Sequence, residues 1–203
     1  MTNLTRRSAL VGALCSLAGC DAISSLNASA EVLDTYDLRP AAGTSTGGRI
    51  PRTLQVALPQ APAALVSDRI MVKPDAVSVT YLPDARWSDE VPALFQTLLV
   101  RSIAATGRAA YVGSAGSGPV PDKALLVRID AFEVIVSPDG ILTAQVDFDL
   151  SVINDRDQRV VASRRFSQSQ QVPDDTPVAI VTGFQSLMDG ILPAISDWAI
   201  RQL

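Results

Sequence analysis

The chain has 203 residues, and its 17 basic and 21 acidic residues give a net charge of −4. It contains no histidine, which excludes histidine-dependent catalytic triads and histidine-ligated metal sites. The length suits one domain with a sizeable core. The sequence also lacks a basic patch with interleaved aromatic residues, so we expect no nucleic-acid partner.

The first 19 residues have the three parts of an export signal. Arg6 and Arg7 form a positive region, and the apolar region "SALVGALCSLA" follows it. This run is too short for a membrane-spanning helix, which needs roughly 20 apolar residues. We therefore interpret residues 1–19 as a removable signal peptide. The stretch "TRRSAL" resembles a twin-arginine export motif, with Ala9 where that pattern prefers Phe, which leaves the export route open.

The four residues "LAGC", Leu17 to Cys20, resemble the lipobox of bacterial lipoproteins. In that motif the cysteine is diacylated and becomes the acylated N-terminus after cleavage. The alternative is a chance cysteine, but a leucine, two small residues and a cysteine would have to coincide at the expected site. We predict that Cys20 carries the lipid anchor. Residues 20–33 then form a flexible tether that spans about 20 Å on average.

Residues 34–203 are predicted to form a single domain. Its first half contains four short segments with strand composition, at 35–38, 53–59, 68–72 and 76–82. Apolar residues at helical spacing over 91–103 then predict the first helix. Ser88 is its predicted N-cap, Pro92 must lie close to its start, and Gly107 is its predicted C-terminal glycine.

The second half has the clearest pattern. Residues 142–152 alternate strictly between apolar and polar types, which predicts a strand with one face in the core. In residues 124–136 the apolar positions change phase near Asp130, which predicts a β-bulge. The "SPDG" turn at 137–140 joins these two strands, and a third strand at 159–168 completes an antiparallel meander.

A second helix closes the chain. Thr176 is its predicted N-cap, and Pro177 lies in its first turn. Pro193 predicts a bend near residues 189–193. Apolar residues at intervals of three and four predict packing against the sheet: Val178, Val181, Phe184, Leu187, Met188, Ile191, Ile195 and Trp198. The elements together predict an α/β fold, with a mixed, largely antiparallel sheet and two long helices packed on it.

Three stretches resemble functional motifs but lack their context. "GTSTG" at 43–47 fits the G-x-S-x-G pattern around Ser45, yet it lies in a Gly- and Pro-rich stretch and has no histidine partner, which indicates a flexible loop. The glycine cluster at 113–119 lacks a Walker lysine and indicates another loop. "NDRDQ" at 154–158 lacks the glycine and glutamate of a calcium loop and indicates a hairpin turn. We expect no cofactor, no metal and no enzyme activity.

The segments "DRIMV" and "YLPDARWSDEVPALFQTLL" resemble the ABC-type transport auxiliary lipoprotein family, the paraquat-inducible protein C-like group. The lipobox, "YDL" and a meander that ends in a long helix also fit this family. The most specific part is the Arg86-Trp87 pair before the first helix. The resemblance implies a periplasmic lipoprotein that works beside a permease, an ATPase and an MCE-domain protein. Such systems move phospholipids or other hydrophobic molecules between membranes.

We therefore predict a non-enzymatic accessory or adapter lipoprotein, anchored to a membrane through its lipid. Trp87 is interpreted as a hydrophobic staple at the start of the first helix, with direct partner contact by Arg86 and Trp87 as the alternative. The resemblance implies the outer membrane, whereas Asp21 resembles the inner-membrane retention signal of enteric bacteria. A stand-alone envelope scaffold, a lipid-binding carrier and a homo-oligomer all stay open.

Overall fold

The computed structural model describes residues 33–116 and 118–203. The predicted signal peptide, Cys20, Asp21 and the tether as far as residue 32 lie outside the described residues. The described part contains eight strands and two α-helices: β1 (Asp34–Tyr36), β2 (Ile50–Val56), β3 (Arg69–Lys73), β4 (Thr80–Trp87), α1 (Val91–Ala104), β5 (Ala109–Ser114), β6 (Lys123–Val136), β7 (Leu142–Asn154), β8 (Val160–Val172) and α2 (Pro177–Ile200). A short 3₁₀ helix, Ala63–Leu65, lies between β2 and β3.

All eight strands belong to one mixed sheet built around β6. On one side of β6, β7 and then β8 follow in antiparallel order. On the other side, β6 pairs in parallel with β2 near its start and with β3 near its end. β5 pairs with the other side of β2. β4 pairs with the other side of β3, and β1 pairs with β4 at the edge of the sheet. The predicted α/β fold, a mixed sheet with two packed helices, is confirmed.

A bulge at Asp130 keeps the apolar side chains of β6 facing the same core along the 14 residues of the strand. The register with β7 shifts between Ile129 and Ala131, at the position where the apolar pattern changes phase. One extra residue restores the inward direction of the following side chains. The predicted bulge and the predicted meander are therefore confirmed. The buried apolar residues on either side of the bulge are Leu125, Val127, Ile129, Phe132 and Val134.

Helix α2 packs on β7 and β8. Its predicted N-cap is confirmed, because the Thr176 hydroxyl accepts a hydrogen bond from the Ala179 N–H at 3.3 Å. The predicted apolar stripe is buried from Phe184 onward, whereas Val178 is exposed. By length and composition α2 could cross a membrane, but in this fold its apolar face covers the sheet.

The predicted N-cap of α1 is wrong. The N-cap position is Glu90, which makes no side-chain capping bond, and Pro92 lies in the first turn. Proline has no N–H to donate, so it fits near a helix start, and here it places that start after Ser88. The Ser88 hydroxyl instead donates to Asp37 Oδ1 at 2.9 Å. Gly107 does adopt a positive φ of 66° just after the helix.

Several strand boundaries also differ from the prediction. β4 begins at Thr80, β8 continues to Val172, and β5 is a strand that the sequence pattern does not predict. Residues 76–79 instead belong to a turn in which Asp75 Oδ1 accepts hydrogen bonds from the N–H groups of Val77 and Ser78. A side chain that satisfies local backbone N–H groups competes with strand pairing.

Aromatic rings from five elements fill the space between the sheet and the helices. They are Trp87 of β4, Phe95 of α1, Phe132 of β6, Phe148 of β7 and Phe184 of α2. Phe132 stacks on Phe184 with ring centroids 4.8 Å apart. Phe95 stacks on Phe148 at 4.0 Å. This aromatic core joins both helices to the sheet.

Candidate functional site at the junction of β4 and α1

The Arg86-Trp87 pair lies at the end of β4, just before α1. β1 forms the edge of the sheet here, and its residues Asp34, Thr35 and Tyr36 pair with the last three residues of β4. Since β1 begins at Asp34, the predicted tether enters the domain at this junction. The candidate site therefore borders β1, the strand nearest in sequence to Cys20.

Arg86 lies on the surface and links three segments. Its Nε donates a hydrogen bond to Thr35 Oγ1 at 3.1 Å, and its Nη1 lies 3.6 Å from Asp68 Oδ2. The Arg86 side chain is 47% exposed. An ion pair in such a position contributes about 0–1 kcal/mol to folding. Arg86 thus orients the edge of the sheet while its guanidinium stays accessible.

Trp87 points the opposite way, as consecutive residues of a strand do. Its side chain is 1% exposed and makes edge-to-face contacts with Phe132 at 5.7 Å and Phe184 at 5.3 Å. A surface contact with a partner needs exposed area, which this indole lacks. A hydrophobic staple uses an apolar residue directly before the N-cap. The N-cap here is Glu90 and the residue before it is Asp89, so the predicted staple on α1 is wrong. We interpret Trp87 as a core residue.

Backbone hydrogen bonds fix the junction. The Trp87 N–H donates to the Asp68 carbonyl at 2.7 Å, and the Val91 N–H donates to the Ser67 carbonyl at 3.1 Å. These bonds hold the segment before β3 against the start of α1. An open groove of about 530 Å³ lies at this junction, and its polar lining includes Asp68, Arg86, Asp89 and Glu90. The groove offers one cation and several carboxylates for ion pairs with a protein partner.

The "GTSTG" segment lies against α2. Residues 39–49 form no helix or strand, so the loop prediction is confirmed and no strand–turn–helix surrounds Ser45. Within this loop, the Thr44 N–H and hydroxyl donate to the Asp197 carboxylate of α2 at 2.6 and 2.8 Å. A Cβ at Gly43 would lie 2.9 Å from Ser196 Cβ and 3.1 Å from the Pro193 carbonyl oxygen. Only glycine allows this close approach.

A second polar cluster lies where β6 begins and β7 ends. The "NDRDQ" segment forms the turn between β7 and β8, as predicted. Nearby, the Thr53 N–H donates to Asp122 Oδ2 at 2.8 Å, and Arg52 Nη1 lies 3.0 Å from Asp122 Oδ1. These bonds, first of all the one from the Thr53 N–H, lower the pKa of Asp122. Within residues 33–116 and 118–203, no group of three or more Cys, Asp or Glu side chains is placed to hold a metal ion.

Two solved structures share this fold. The crystal structure of XCC0632 from Xanthomonas campestris superimposes with a TM-score of 0.76 at 20% identity, covering 83% of this chain and 96% of that one. A crystal structure of an uncharacterised protein gives a TM-score of 0.62 at 15% identity, covering 84% of this chain and 98% of that one. At these identities the likeness shows the fold alone.

Sequence comparison identifies the family. The protein bll6063 of Bradyrhizobium diazoefficiens, itself uncharacterised, is 27% identical over an alignment of 196 positions that covers 91% of this chain and 49% of the relative. The chain therefore spans about half the length of that relative. The profile of the family described as the ABC-type transport auxiliary lipoprotein component matches residues 36–196. Since this match runs from β1 into the last turns of α2, the chain belongs to the ABC-type transport auxiliary lipoprotein family.

Proposed function

We propose that the chain is a non-catalytic accessory subunit of a transport system that moves phospholipids or other hydrophobic molecules between membranes. Its proposed partners are the permease, the ATPase and the MCE-domain protein of that system. One observation carries the proposal: the family match covers the folded domain. The sequence that resembles a lipobox supports it, since its Cys20 precedes that domain by 14 residues. A lipid anchor at this distance keeps the domain close to one membrane.

The family is an auxiliary component of ABC-type transport. We therefore assign ATP hydrolysis to the ATPase and membrane passage to the permease. The chain's own role is to bind these partners and hold them in place. Arg86 is the residue of the candidate pair that a partner can reach, because its guanidinium is exposed beside the polar groove at the junction.

The packing of the core favours an adapter over a lipid-binding carrier. A carrier of this fold would need an apolar cavity between the helices and the sheet. That region instead holds the ring contacts of Trp87, Phe132 and Phe184, whose side chains are buried against one another. Well-packed aromatic rings leave no space for an acyl chain without repacking the core.

We further propose that the domain faces the periplasm from the outer membrane, as the family resemblance implies. Asp21 next to the lipidated cysteine supports the inner membrane instead. Density-gradient separation of the two membranes, on wild type and Asp21→Ser, decides between them. A shift of the protein between fractions on substitution would show that Asp21 retains it, and an unchanged outer-membrane position would support the first location.

The anchor is tested by membrane fractionation of two cysteine variants. Three acyl chains exceed the two signals needed for stable attachment, so wild type should pellet with membranes. Cys20→Ala, exported with a cleavable signal, should be soluble in the periplasm. Cys15→Ala is the matched control, because Cys15 lies within the predicted signal peptide, and it should fractionate as wild type does. Cys20→Ala that stays in the pellet after a high-salt wash would contradict the proposed anchor.

The partners are tested by cross-linking and mass spectrometry. Wild type should capture the permease, the ATPase or the MCE-domain protein, and Arg86→Ala should capture less. Arg156→Ala, which changes an exposed arginine in the turn between β7 and β8, should capture as much as wild type. If wild type captures none of these proteins, the transport role fails and a stand-alone scaffold is the better function. Equal capture by both variants would exclude the junction as the contact site.

A further inference from the structure

Three turns of the domain each contain a proline-aspartate dipeptide at or next to their first residue. Residues 74–79 join β3 to β4, residues 137–141 join β6 to β7, and residues 173–178 lead from β8 into the first turn of α2. Their proline-aspartate pairs are Pro74-Asp75, Pro138-Asp139 and Pro173-Asp174. We name these three turns together the Pro-Asp end.

The sheet brings the three turns side by side. β3 runs parallel to β6, with Lys73 opposite Ile135, so both strands finish at the same end. β7 starts at that end, and its first residue, Leu142, lies opposite Val172, the last residue of β8. Neighbouring strands are about 4.8 Å apart. The turns that follow β3, β6 and β8 therefore form one surface about 15 Å across.

This surface carries exposed apolar side chains. Val77 is 93% exposed, Val178 63%, Val79 47% and Ile141 42%. Each of the three turns contributes at least one of these residues. Val178 is also the residue of the α2 stripe that the sheet leaves uncovered. A group of apolar side chains at one end of a domain is typical of an interaction site.

The turns are held in fixed conformations by their own aspartates. Asp75 Oδ1 accepts hydrogen bonds from the Val77 and Ser78 N–H groups at 2.8 and 2.7 Å. Asp174 Oδ1 accepts from the Thr176 N–H at 3.0 Å, and Asp139 accepts from the Ser137 hydroxyl. Proline adds a fixed φ in each turn. Binding to turns that are already ordered loses little conformational entropy.

The charge of the surface is uniformly negative. Its four aspartates are Asp75, Asp139, Asp174 and Asp175, and the three turns contain no lysine or arginine. The adjacent Lys73 is engaged with Glu133, at 2.8 Å. Hydrogen bonds from Ser78, Ser137 and Thr176 lower the pKa values of Asp75, Asp139 and Asp174 respectively. These carboxylates therefore remain ionised at and below neutral pH.

We infer that the Pro-Asp end is a docking surface for a protein whose apolar patch is bordered by lysine and arginine side chains. Charge complementarity selects this occupant. The same end of a second copy would bring four further carboxylates against these four, and an anionic lipid surface would be repelled as well. The surface lies apart from the Arg86 junction, so it gives the chain a second contact face. The inference does not depend on which transport system the chain serves.

The test is site-specific photo-cross-linking of the full-length lipidated protein in cells. A photoreactive amino acid is placed at Val77 or Ile141, and in control variants at Val120 or Val160, which are 86% and 58% exposed at the opposite end of the sheet. We expect one identified protein to be cross-linked from the Pro-Asp end at about tenfold higher yield than from the control positions. A factor of about ten is what the loss of one strong interface contact makes in binding. Its cross-linked segment should combine apolar residues with neighbouring lysine or arginine.

A second arm tests the charge. Asp175→Lys should lower the cross-linking yield from Val77 about fivefold or more, because it places a cation against the partner's basic border. Asp157→Lys, an exposed position in the turn between β7 and β8, should leave the yield unchanged. Circular dichroism must show that both variants are folded.

Four outcomes would overturn the inference: equal yields from both ends, no adduct from the Pro-Asp end, adducts made only to lipid or to a second copy, or a yield that Asp175→Lys leaves intact. Consider a captured protein that is cross-linked preferentially from the Pro-Asp end, through an apolar segment with neighbouring lysine or arginine, and yet is no transport component. In that case the docking surface stands and the proposed function fails. The two proposals can therefore be judged separately.

Discussion

The β6–β8 meander and the first half of the domain are built in different ways. The meander strands have 13 or 14 residues and pair antiparallel with their neighbours in the chain. Strands β1 to β5 have three to eight residues, and most of their pairings are parallel to strands far away in sequence. Local pattern therefore determines the meander, whereas the first half takes its form from distant partners.

The two regions are also held together differently. The inward face of the meander is apolar, and Phe148 and Phe132 belong to the aromatic core. The first half shares this core, and in addition single side chains bond there to distant backbone groups. Gln96 Nε2 donates to the Val56 carbonyl at 3.0 Å, and Asp122 accepts from the Thr53 N–H. Mutations in the two regions should therefore differ in size and in pH dependence.

The largest effect is expected in the meander. Phe148→Asp should lower the free energy of unfolding by about 5 kcal/mol or more, because it removes a buried ring and introduces an unpaired charge. Asp149→Ser is the control on the other face of the same strand, where Asp149 Oδ2 lies 3.3 Å from Arg128 Nη2, and it should cost less than about 1 kcal/mol. Chemical denaturation measures both. Equal losses would mean that the faces of β7 are assigned wrongly.

Trp87→Ala tests whether the first half unfolds separately. The loss of its contacts with Phe132 and Phe184 should cost about 3–5 kcal/mol, and Trp87→Phe should cost less because it keeps a ring. For wild type we expect one cooperative transition by circular dichroism and by fluorescence, since Trp87 joins β4 to the aromatic core. Two separate transitions would show that the meander folds independently of β1 to β5.

Asp122→Asn tests the bonds that hold β2. At neutral pH it should lower the free energy of unfolding by about 1 kcal/mol, because a charge-assisted hydrogen bond becomes a neutral one. The hydrogen bond from the Thr53 N–H and the contact with Arg52 lower the pKa of Asp122 in the folded state. Its stabilisation is therefore complete above the unfolded pKa near 3.9 and is lost as the pH falls through the lower folded value.

The difference between wild type and Asp122→Asn should accordingly shrink below about pH 4. Denaturation curves between neutral and acidic pH measure it. A difference that stays constant over this range would show that the charge of Asp122 does not stabilise the fold.

The smallest effect on stability is expected at the junction. Arg86→Ala should cost less than about 1 kcal/mol, since its partner Asp68 is also partly exposed. Arg156→Ala serves as the control and should behave alike in denaturation. A loss above about 2 kcal/mol would make Arg86 a structural residue, and reduced partner capture by Arg86→Ala would then no longer indicate a binding role.

The elements that the sequence predicts are those whose pattern is local. The alternation in β7, the phase change at Asp130 and the Thr176 cap each need only a few adjacent residues. β5 is not predicted because "AAYVGS" has little alternation, and its pairing with β2 depends on residues more than 50 positions away. β4 contains Pro83 and a positive φ of 55° at Asp84, which obscure its pattern.

The candidate site shows the same division. Arg86 and Trp87 stand out in the sequence as a pair, and strand geometry alone places their side chains on opposite faces. Which of the two is buried depends on the contacts of β4 with β6 and α2, which no local pattern contains. The three Pro-Asp turns are equally visible in the sequence, yet their meeting at one end depends on the parallel register of β3 with β6.

The arrangement of β1 has a mechanical consequence. With Cys20 anchored as proposed, tension between the membrane and the domain acts first on β1, which has three residue pairs with β4. In the segment that follows β1 in the chain, Leu38 is buried, and the Arg39 N–H donates to Gln185 Oε1 of α2 at 2.8 Å. Under load, β1 should detach first and lengthen the tether by about 10 Å while the core stays closed. Single-molecule pulling from the N-terminus should record this as a small extension before the main unfolding step, and its absence would contradict the expected order.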